Sequence, residues 1–545
     1  MTITPIDPLE TAVDPDVTRP LDRSADQPQG RDRIIDDIAG RVRSALEPVW
    51  RDGRLGIAIG IGTAALWGVV AAWWTPRGPL TTSAALWSMA ISLVVGTAAG
   101  LVIHSRWAML SAPLAFAVLF ELGRLGTDGP TVDAPAFTTY GILALVVGRV
   151  VHGLVSLLPM LFGAAVGAGV ARSLRDRGDD TTGRRPVGRW ARRTVAGLTG
   201  VGLIVLAAGL ARPARTDAIT GPDGDELEGS VAELVEIDVN GHDQTIMIRG
   251  YSVDNPVLLF LAGGPGGSEL GAMRRHLPEL EQHVTVATWD QRGTGHSYPS
   301  LDPTSTLTLD GIVADTLDVT DYLRDRFGQD TIYLAGQSWG STLGVLAVQQ
   351  APEKYTAFIG IGQMVSQLAT DRIFYDDTLA WARANGDGGL VDELVGIGPP
   401  PYTRMLDYET ALAYEHEVYP YDHTGNSEGE GGFSENFLVE EYALIDQVHL
   451  LGAFMDTFSV LYPQLQDIDF RATATDFEIP VFFVQGANEA DGRADVFADW
   501  YPMVDAPIKD LVVLDTSGHR PLFEQPDAFV EYMTGTVLAR TADID

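Results

Sequence analysis

Gly336-Gln337-Ser338-Trp339-Gly340 is the stretch on which the reading of this chain turns. An apolar β-type segment, Thr331–Ala335, runs into it, and a small-residue helical segment, Ser341–Ala347, runs out. Strand, Gly-x-Ser-x-Gly, helix is the layout of a nucleophile elbow. The turn is so tight that side chains two before and two after the serine would collide, and both positions are glycine. The Ser338 hydroxyl is then exposed at the tip, at a helix N-terminus whose N–H groups favour developing negative charge. The five-residue motif is common by chance; its flanking strand and helix make it informative.

A serine hydroxyl is a poor nucleophile at neutral pH and needs a general base, which in turn needs an orienting carboxylate. After an elbow serine the chain order is acid, then histidine. His519 fits, in Ser517-Gly518-His519-Arg520-Pro521 after the last predicted strand. His416, His423 and His449 fall in an inserted segment and read as structural or surface groups. The acid is expected after Val481–Gln485, where Gly486-Ala487-Asn488-Glu489-Ala490-Asp491 offers two candidates, Glu489 and Asp491. An oxyanion hole requires two N–H donors. Trp339 is the first, and Gly264 of the loop Gly263-Gly264-Pro265-Gly266-Gly267 is the second. That loop lacks the Lys-Ser/Thr pair of a nucleotide-binding P-loop. No His-Glu-x-x-His occurs, and without cysteine there is no thiol catalysis, disulfide or Cys-type zinc site. No cofactor and no metal is expected.

Around the elbow the chain alternates apolar strands and helices. Ala232–Val239 and Gln244–Arg249 flank Asn240-Gly241 as a hairpin. Pro256–Leu261, Val284–Trp289, Thr331–Ala335, Ala357–Ile361, Ile479–Gln485 and Leu511–Leu514 read as strands, and Leu309–Phe327 as an amphipathic helix. This rhythm predicts a mostly parallel sheet with helices on both faces. Residues 363–470 break it with helical, aromatic and acidic sequence, including a Gly- and Glu-rich loop near 425–432. They read as a helical cap. The core is then 231–362 with 471–545.

These motifs together resemble the prolyl iminopeptidase family of α/β hydrolases. The resemblance rests on the glycine loop at 263–267, Asp290-Gln291-Arg292-Gly293-Thr294-Gly295-His296-Ser297, the elbow, and Ser517-Gly518-His519 with Glu524-Gln525-Pro526. It covers roughly residues 230–540. It implies an α/β hydrolase fold, Ser338 as nucleophile, His519 as base, and Asp290 and Arg292 as braces of the oxyanion loop. Two positions depart from it: Ala262 stands where the family has histidine, and Glu489 where it has aspartate. The family's aminopeptidases read a free amino terminus with cap glutamates, for which Glu415, Glu417, Glu440 and Glu441 are the candidates.

The charge is unevenly spread. In residues 1–220, 22 arginines stand against 18 acidic groups, a net of +4; the other 325 residues carry 15 basic and 55 acidic groups, a net of −40. The acidic half would repel nucleic acid and attract ammonium groups. The basic half is apolar. Residues 1–33 read as a disordered tail, with no apolar run near residue 1 and so no cleavable signal peptide. Residues 34–54 read as an amphipathic surface helix. Leu55–Trp74, Ala84–Ile103, Trp107–Glu121, Val150–Ala171 and Thr194–Ala211 read as five transmembrane helices, with 138–148 as an interfacial lead and tryptophans 67, 73, 74, 87 and 107 near the run ends. Glu121, Arg149 and His152 read as helix-end residues that snorkel. The Gly/Ala-rich run 163–169 reads as close helix packing. The arginine-rich segments before residue 55 and at 172–193 belong on the cytoplasmic side. The N-terminal tail (1–54) is then cytoplasmic, the membrane domain (55–211) multi-pass, and everything after the 212–230 linker extracytoplasmic. The whole reads as a membrane-anchored serine hydrolase, an aminopeptidase acting on peptides, or alternatively an esterase acting on small esters. A domain that only binds is a third reading, which the intact Ser338 and His519 oppose.

Overall fold

A computed structural model of the chain describes residues 29–75, 80–125, 139–176, 186–301, 304–420 and 434–542. Asn240 and Gly241 both have positive φ (52° and 82°), as a two-residue type I′ turn demands. The turn joins β1 (Val231–Val239) to β2 (His242–Gly250). There follow β3 (Val257–Leu261), β4 (Thr285–Asp290), β5 (Ile332–Gln337), β6 (Tyr355–Ile361), β7 (Val481–Gly486) and β8 (Lys509–Leu514). One sheet holds all eight in the order β1-β2-β4-β3-β5-β6-β7-β8. β1, β2 and β4 pair antiparallel; every pairing from β4 across to β8 is parallel. Every residue of β3, β4, β5 and β7 is buried. Parallel strands covered on both faces read as continuous apolar runs for this reason. One layer of the core gathers Trp289, Phe483 and Trp500, the other Phe260, Phe482 and Phe523.

The register lines up the carboxyl ends of these strands. Leu261 lies opposite Gly336, Gln337 opposite Ile361, Ile361 opposite Val484, and Gly486 opposite Leu514. The loops that follow β3, β5, β7 and β8 therefore emerge side by side, where open parallel sheets bind ligands. The predicted insertion lies between β6 and β7. Its helices are Gln367–Asn385, Gly388–Ile397, Met405–Ala413 and Leu444–Leu465. The loop near 425–432 lies outside the described residues, as does most of the predicted tail.

Among its described residues the N-terminal part consists of helices joined by short turns: α1 (Gln29–Arg51), α2 (Gly53–Trp74), α3 (Thr82–Ile103), α4 (Ala108–Gly123), α5 (Thr139–His152), α6 (Leu158–Asp176) and α7 (Pro186–Leu210). The surface helix thus starts at Gln29, five residues inside the predicted tail. A π-helical turn, Gly153–Leu157, fuses α5 and α6. The predicted interfacial lead is therefore part of one helix, whose apolar stretch Gly141–Arg175 runs for 35 residues, about 52 Å. That exceeds a hydrocarbon core of about 30 Å. α2, α3, Gly141–Arg175 and Trp190–Leu210 are long and apolar enough to cross a membrane; α4, at 16 residues, is shorter. A fifth helix of such length and composition among the described residues, Leu444–Leu465, lies in the cap.

Two expectations for this region change. Trp67 is buried, its indole N–H donating to Ser92 Oγ at 3.0 Å, so it is a bundle residue rather than a belt residue. Arg149 pairs with Glu121 at 3.2 Å across α5 and α4 instead of snorkelling. The Gly/Ala run does pack closely. A side chain at Gly96 or Gly100 of α3 would run into the backbone at Met160 or Ala164, and one at Gly163 or Gly167 of α6 into the backbone at Leu93 or Thr97. Small residues are what let two apolar helices approach so near in lipid. Gly169, by contrast, has open space beside it. Gly167→Leu is expected to cost about 1–3 kcal/mol by overpacking, whereas Gly169→Leu is close to neutral. Thermal unfolding of the two variants in detergent micelles checks this, and equal melting temperatures would contradict it.

Candidate active site

The elbow is set by backbone contact. Gly336 and Gly340 face each other across the turn, and a Cβ on Gly336 would overlap the Gly340 carbonyl. A Cβ on Gly340 would overlap the Leu261 carbonyl at the end of β3. Between them Ser338 adopts φ 53° and ψ −118°, a region a non-glycine residue enters only when its surroundings compel it. Its own N–H donates to the Ile361 carbonyl at 2.9 Å, which ties the turn to β6. The helix Trp339–Gln350 starts directly after it.

Ser338 Oγ lies 2.8 Å from His519 Nε2, and His519 Nδ1 lies 2.6 Å from Glu489 Oε2. The second carboxylate oxygen of Glu489 accepts from the Arg493 Nε at 2.7 Å and the Ala490 N–H at 2.9 Å. Burial alone would raise this carboxyl. Arg493 and His519 together outweigh burial and hold it at about 2, below its ordinary value of 4.5. Asp491, the other candidate acid, opens the exposed N-terminus of the helix Asp491–Trp500. Burial together with Asp495 and Asp377 raises its carboxyl. Between the two, the structure brings Glu489 to the histidine.

The histidine loop is held from behind. Glu524 accepts from the Gly518 and Arg520 N–H groups, both at 2.9 Å, and Gln525 accepts from Ser517 Oγ at 2.8 Å. Gln337 Nε2 donates to the His519 carbonyl at 3.0 Å. The glycine loop is braced by Gln291, not by its neighbours. Gln291 Nε2 donates to the Ala262 carbonyl at 3.2 Å, while its Oε1 accepts from the Trp339 indole at 2.9 Å. Asp290 instead accepts from Tyr442 at 2.8 Å and from the His296 N–H at 3.0 Å, and Arg292 pairs with Asp315. The bracing role implied for Asp290 and Arg292 thus belongs to the residue between them.

A cavity of about 370 Å³ opens over Ser338. Gly264 and Trp339 border it, beside Ser338 and His519. Its apolar wall comes from Leu412, Leu450, Phe454, Phe458 and Leu465 of the cap, and its charged groups are Glu269, Glu415, Arg493 and Arg520. Of the four cap glutamates named from sequence, only Glu415 lines this cavity. Glu417 is exposed. Glu440 binds Arg212 and Arg215 at the surface, and Glu441 is buried against Arg274. Helix phase and these arginine partners take all three elsewhere. Glu415 is itself paired with Arg493, so Glu489, Arg493 and Glu415 form one buried row. Glu269, which follows the glycine loop by two residues, carries no sequence signature of its own. It accepts from the Gly263 N–H at 3.4 Å and from Arg520 at 3.3 Å. Burial, opposed by Arg520 and that N–H, pushes its carboxyl up. Glu435 shares Arg520 and lies 2.5 Å from His276. Among the described residues no group of three or more metal-binding side chains gathers.

A parallel-stranded sheet with a serine elbow after β5, a histidine after β8 and a cap between β6 and β7 defines an α/β hydrolase. Residues 256–526 match the family described as alpha/beta hydrolase fold, and this part of the chain is similar to proteins named aminopeptidase and proline iminopeptidase. It is 27% identical over 308 residues to the "Probable aminopeptidase YbaC" of Bacillus subtilis, covering 56% of this chain and 96% of that one. It is 30% identical over 124 residues to the "Probable proline iminopeptidase" of Leptolyngbya boryana, covering 23% of this chain and 36% of that one. The crystal structure of the proline iminopeptidase of Mycobacterium smegmatis superposes with a TM-score of 0.41 at 16% identity, over 57% of this chain and all of that one.

Glu489→Gln keeps the size and removes the charge. It is expected to lower kcat by about 10³–10⁴-fold, whereas Asp491→Asn stays within about twofold of wild type. Because Glu489 is held below its ordinary value, its ionised form stabilises the fold fully above pH 4.5, and that contribution fades as the pH falls toward 2. Thermal unfolding of wild type from pH 5 to 2.5 should therefore fall more steeply than that of Glu489→Gln; parallel curves would contradict the assignment.

Proposed function

We propose that this chain is a membrane-anchored serine hydrolase that removes amino-terminal residues from peptides, proline among them. The observation that carries the reading is the hydrogen-bonded row Ser338–His519–Glu489 opening into a capped cavity. Ser338 Oγ attacks the scissile carbonyl while His519 Nε2 takes its proton. Glu489 keeps the imidazole turned and stabilises the imidazolium that forms. The N–H groups of Gly264 and Trp339 receive the oxyanion. His519 returns the proton to the departing amine, and water then releases the acyl group from Ser338 by the same steps.

The preference for a free amine follows from charge. Glu269 and Glu415 line the cavity and Glu489 and Glu435 stand behind them, four carboxylates that share two guanidinium groups, Arg493 and Arg520, and the imidazoles of His519 and His276. A substrate ammonium would offset part of that excess, and it would favour the ionised form of Glu269, which burial disfavours. The names of the relatives point the same way. The anchor is the bundle α2–α7, crossing the bilayer five times with α4 as the short pass. The arginine-rich flanks support an N-terminus in the cytoplasm and a hydrolase outside.

The test uses the full chain in micelles beside Ser338→Ala. Both are given proline p-nitroanilide, its N-blocked form and a short-chain p-nitrophenyl ester. Serine-dependent cleavage of the free-amine anilide, with the blocked form at least about tenfold slower, is the expected result. Glu269→Gln should raise KM for the anilide by about tenfold, the loss of a buried charge contact of roughly 1.4 kcal/mol, and leave ester hydrolysis within about twofold. Cleavage of the ester alone would make the protein an esterase.

A further inference from the structure

We infer that the hydrolase cavity is fed from the bilayer surface, and that its substrates are amphiphiles whose apolar chain stays in the membrane. This rests on the hydrolase reading above and adds the class of substrate.

Three observations lead there. First, the cap helix Leu444–Leu465 serves the membrane helices and the cavity at once. Its first turn packs on the bundle: Ile445 is buried with Leu203 and Leu210 of α7 and Ala84, Ala85 and Met89 of α3, and Leu444 lies against Gly209. Its next turns, at Leu450, Phe454 and Phe458, wall the cavity. From Leu444 to Leu450 is about 9 Å along a helix. Second, the strand of chain before this helix is tied to the same place. Glu440 accepts from Arg212 and Arg215 at 2.7 and 2.6 Å, two and five residues beyond the end of α7. The Arg215 N–H donates to the Glu440 carbonyl at 2.8 Å. Asn436, four residues earlier, lines the cavity, so the cavity wall is within about 14 Å of that anchor. Third, between Asn436 and Glu440 stand Phe437 and Leu438, both exposed, Leu438 at 80%. Two adjacent apolar side chains facing outward are costly in water. Beside an arginine pair at the end of a membrane helix they sit at the depth where a bilayer begins. The occupant of this edge is therefore lipid, by continuity with the bundle.

The cavity's own apolar wall suits the same ligand. An amphiphile with a free amine on its acyl group would place the amine among the carboxylates and leave its chain along Phe437 and Leu438. The carbonyl passes from its amine or alcohol to Ser338 Oγ and then to water. The leaving group takes the proton from His519 and keeps its chain in the bilayer.

The experiment has two arms, both on the full chain in phosphatidylcholine vesicles. The chain has no cysteine, so Leu438→Cys provides a unique thiol for a nitrobenzoxadiazole label. Quenching of the label by nitroxide on lipid acyl chains, and not by a water-soluble quencher, is expected. Quenching from water alone overturns the inference and leaves the edge to a protein partner or to solvent. In the second arm, Ser338-dependent release of alanine is followed from alanyl dodecylamide and alanyl butylamide. The dodecyl compound should be favoured at least tenfold in kcat/KM, and Leu438→Asp should bring that ratio to within twofold of one. Equal turnover of the two amides by wild type overturns the inference while the hydrolase reading stands. Turnover of neither removes the aminopeptidase reading, and the label then decides the position of the edge by itself.

Discussion

The active-site half of this protein depends on one close approach, that of the Gly340 backbone to the Leu261 carbonyl. β3 and β5 are neighbours, and the elbow folds back over the end of β3 with no room for a side chain. That contact forces Ser338 into φ 53° and presents its hydroxyl at the sheet edge. It also sets the glycine loop after β3 beside the helix start after Ser338, so Gly264 and Trp339 border the same cavity. Gln291 reinforces the arrangement by bonding one side of it to the other. The strain of the serine is thus sustained by packing that the whole parallel sheet supplies.

Charge organises what lies above. Glu489 would be disfavoured as an ion by burial, and Arg493 and His519 reverse this. Arg493 in turn reaches Glu415 from the cap and stacks over Phe374. The orientation of the histidine and the seating of the cap are therefore linked through one guanidinium. A second guanidinium, Arg520, does the same work opposite, between Glu269 of the core and Glu435 of the cap. Buried charges tolerate such positions only when paired and hydrogen-bonded, and both rows meet that condition. The cap is fastened at a third point, where Glu440 meets the arginines that follow α7.

Much of this was legible from local signals. Steric need showed in the elbow glycines, the hairpin in Asn240-Gly241, and the helix Leu309–Phe327 in its periodicity, to the residue. Ser338 and His519 could be named because chain order and strand ends constrain them. The first three apolar runs marked α2, α3 and α4 to within two residues at each end, whereas α7 begins eight residues before the run read for it. The fused helix Gly141–Arg175 was harder, because Arg149 and His152 look like an interruption until Glu121 is seen opposite Arg149.

What depended on distant partners stayed out of reach. Glu489 and Asp491 are equivalent two residues apart in a loop, and only the placement of His519 and Arg493 separates them. Glu417, Glu440 and Glu441 look as suitable as Glu415 until helix phase and arginine partners remove them. Glu269 has no signature at all, because its environment is built by Arg520, 251 residues away. Hydrophobic period, turn chemistry and motif spacing are local, and local order is what the chain spells out. Which carboxylate is buried, beside which guanidinium, arises only when remote segments pack, because the energy of a charge depends on everything that displaces water around it.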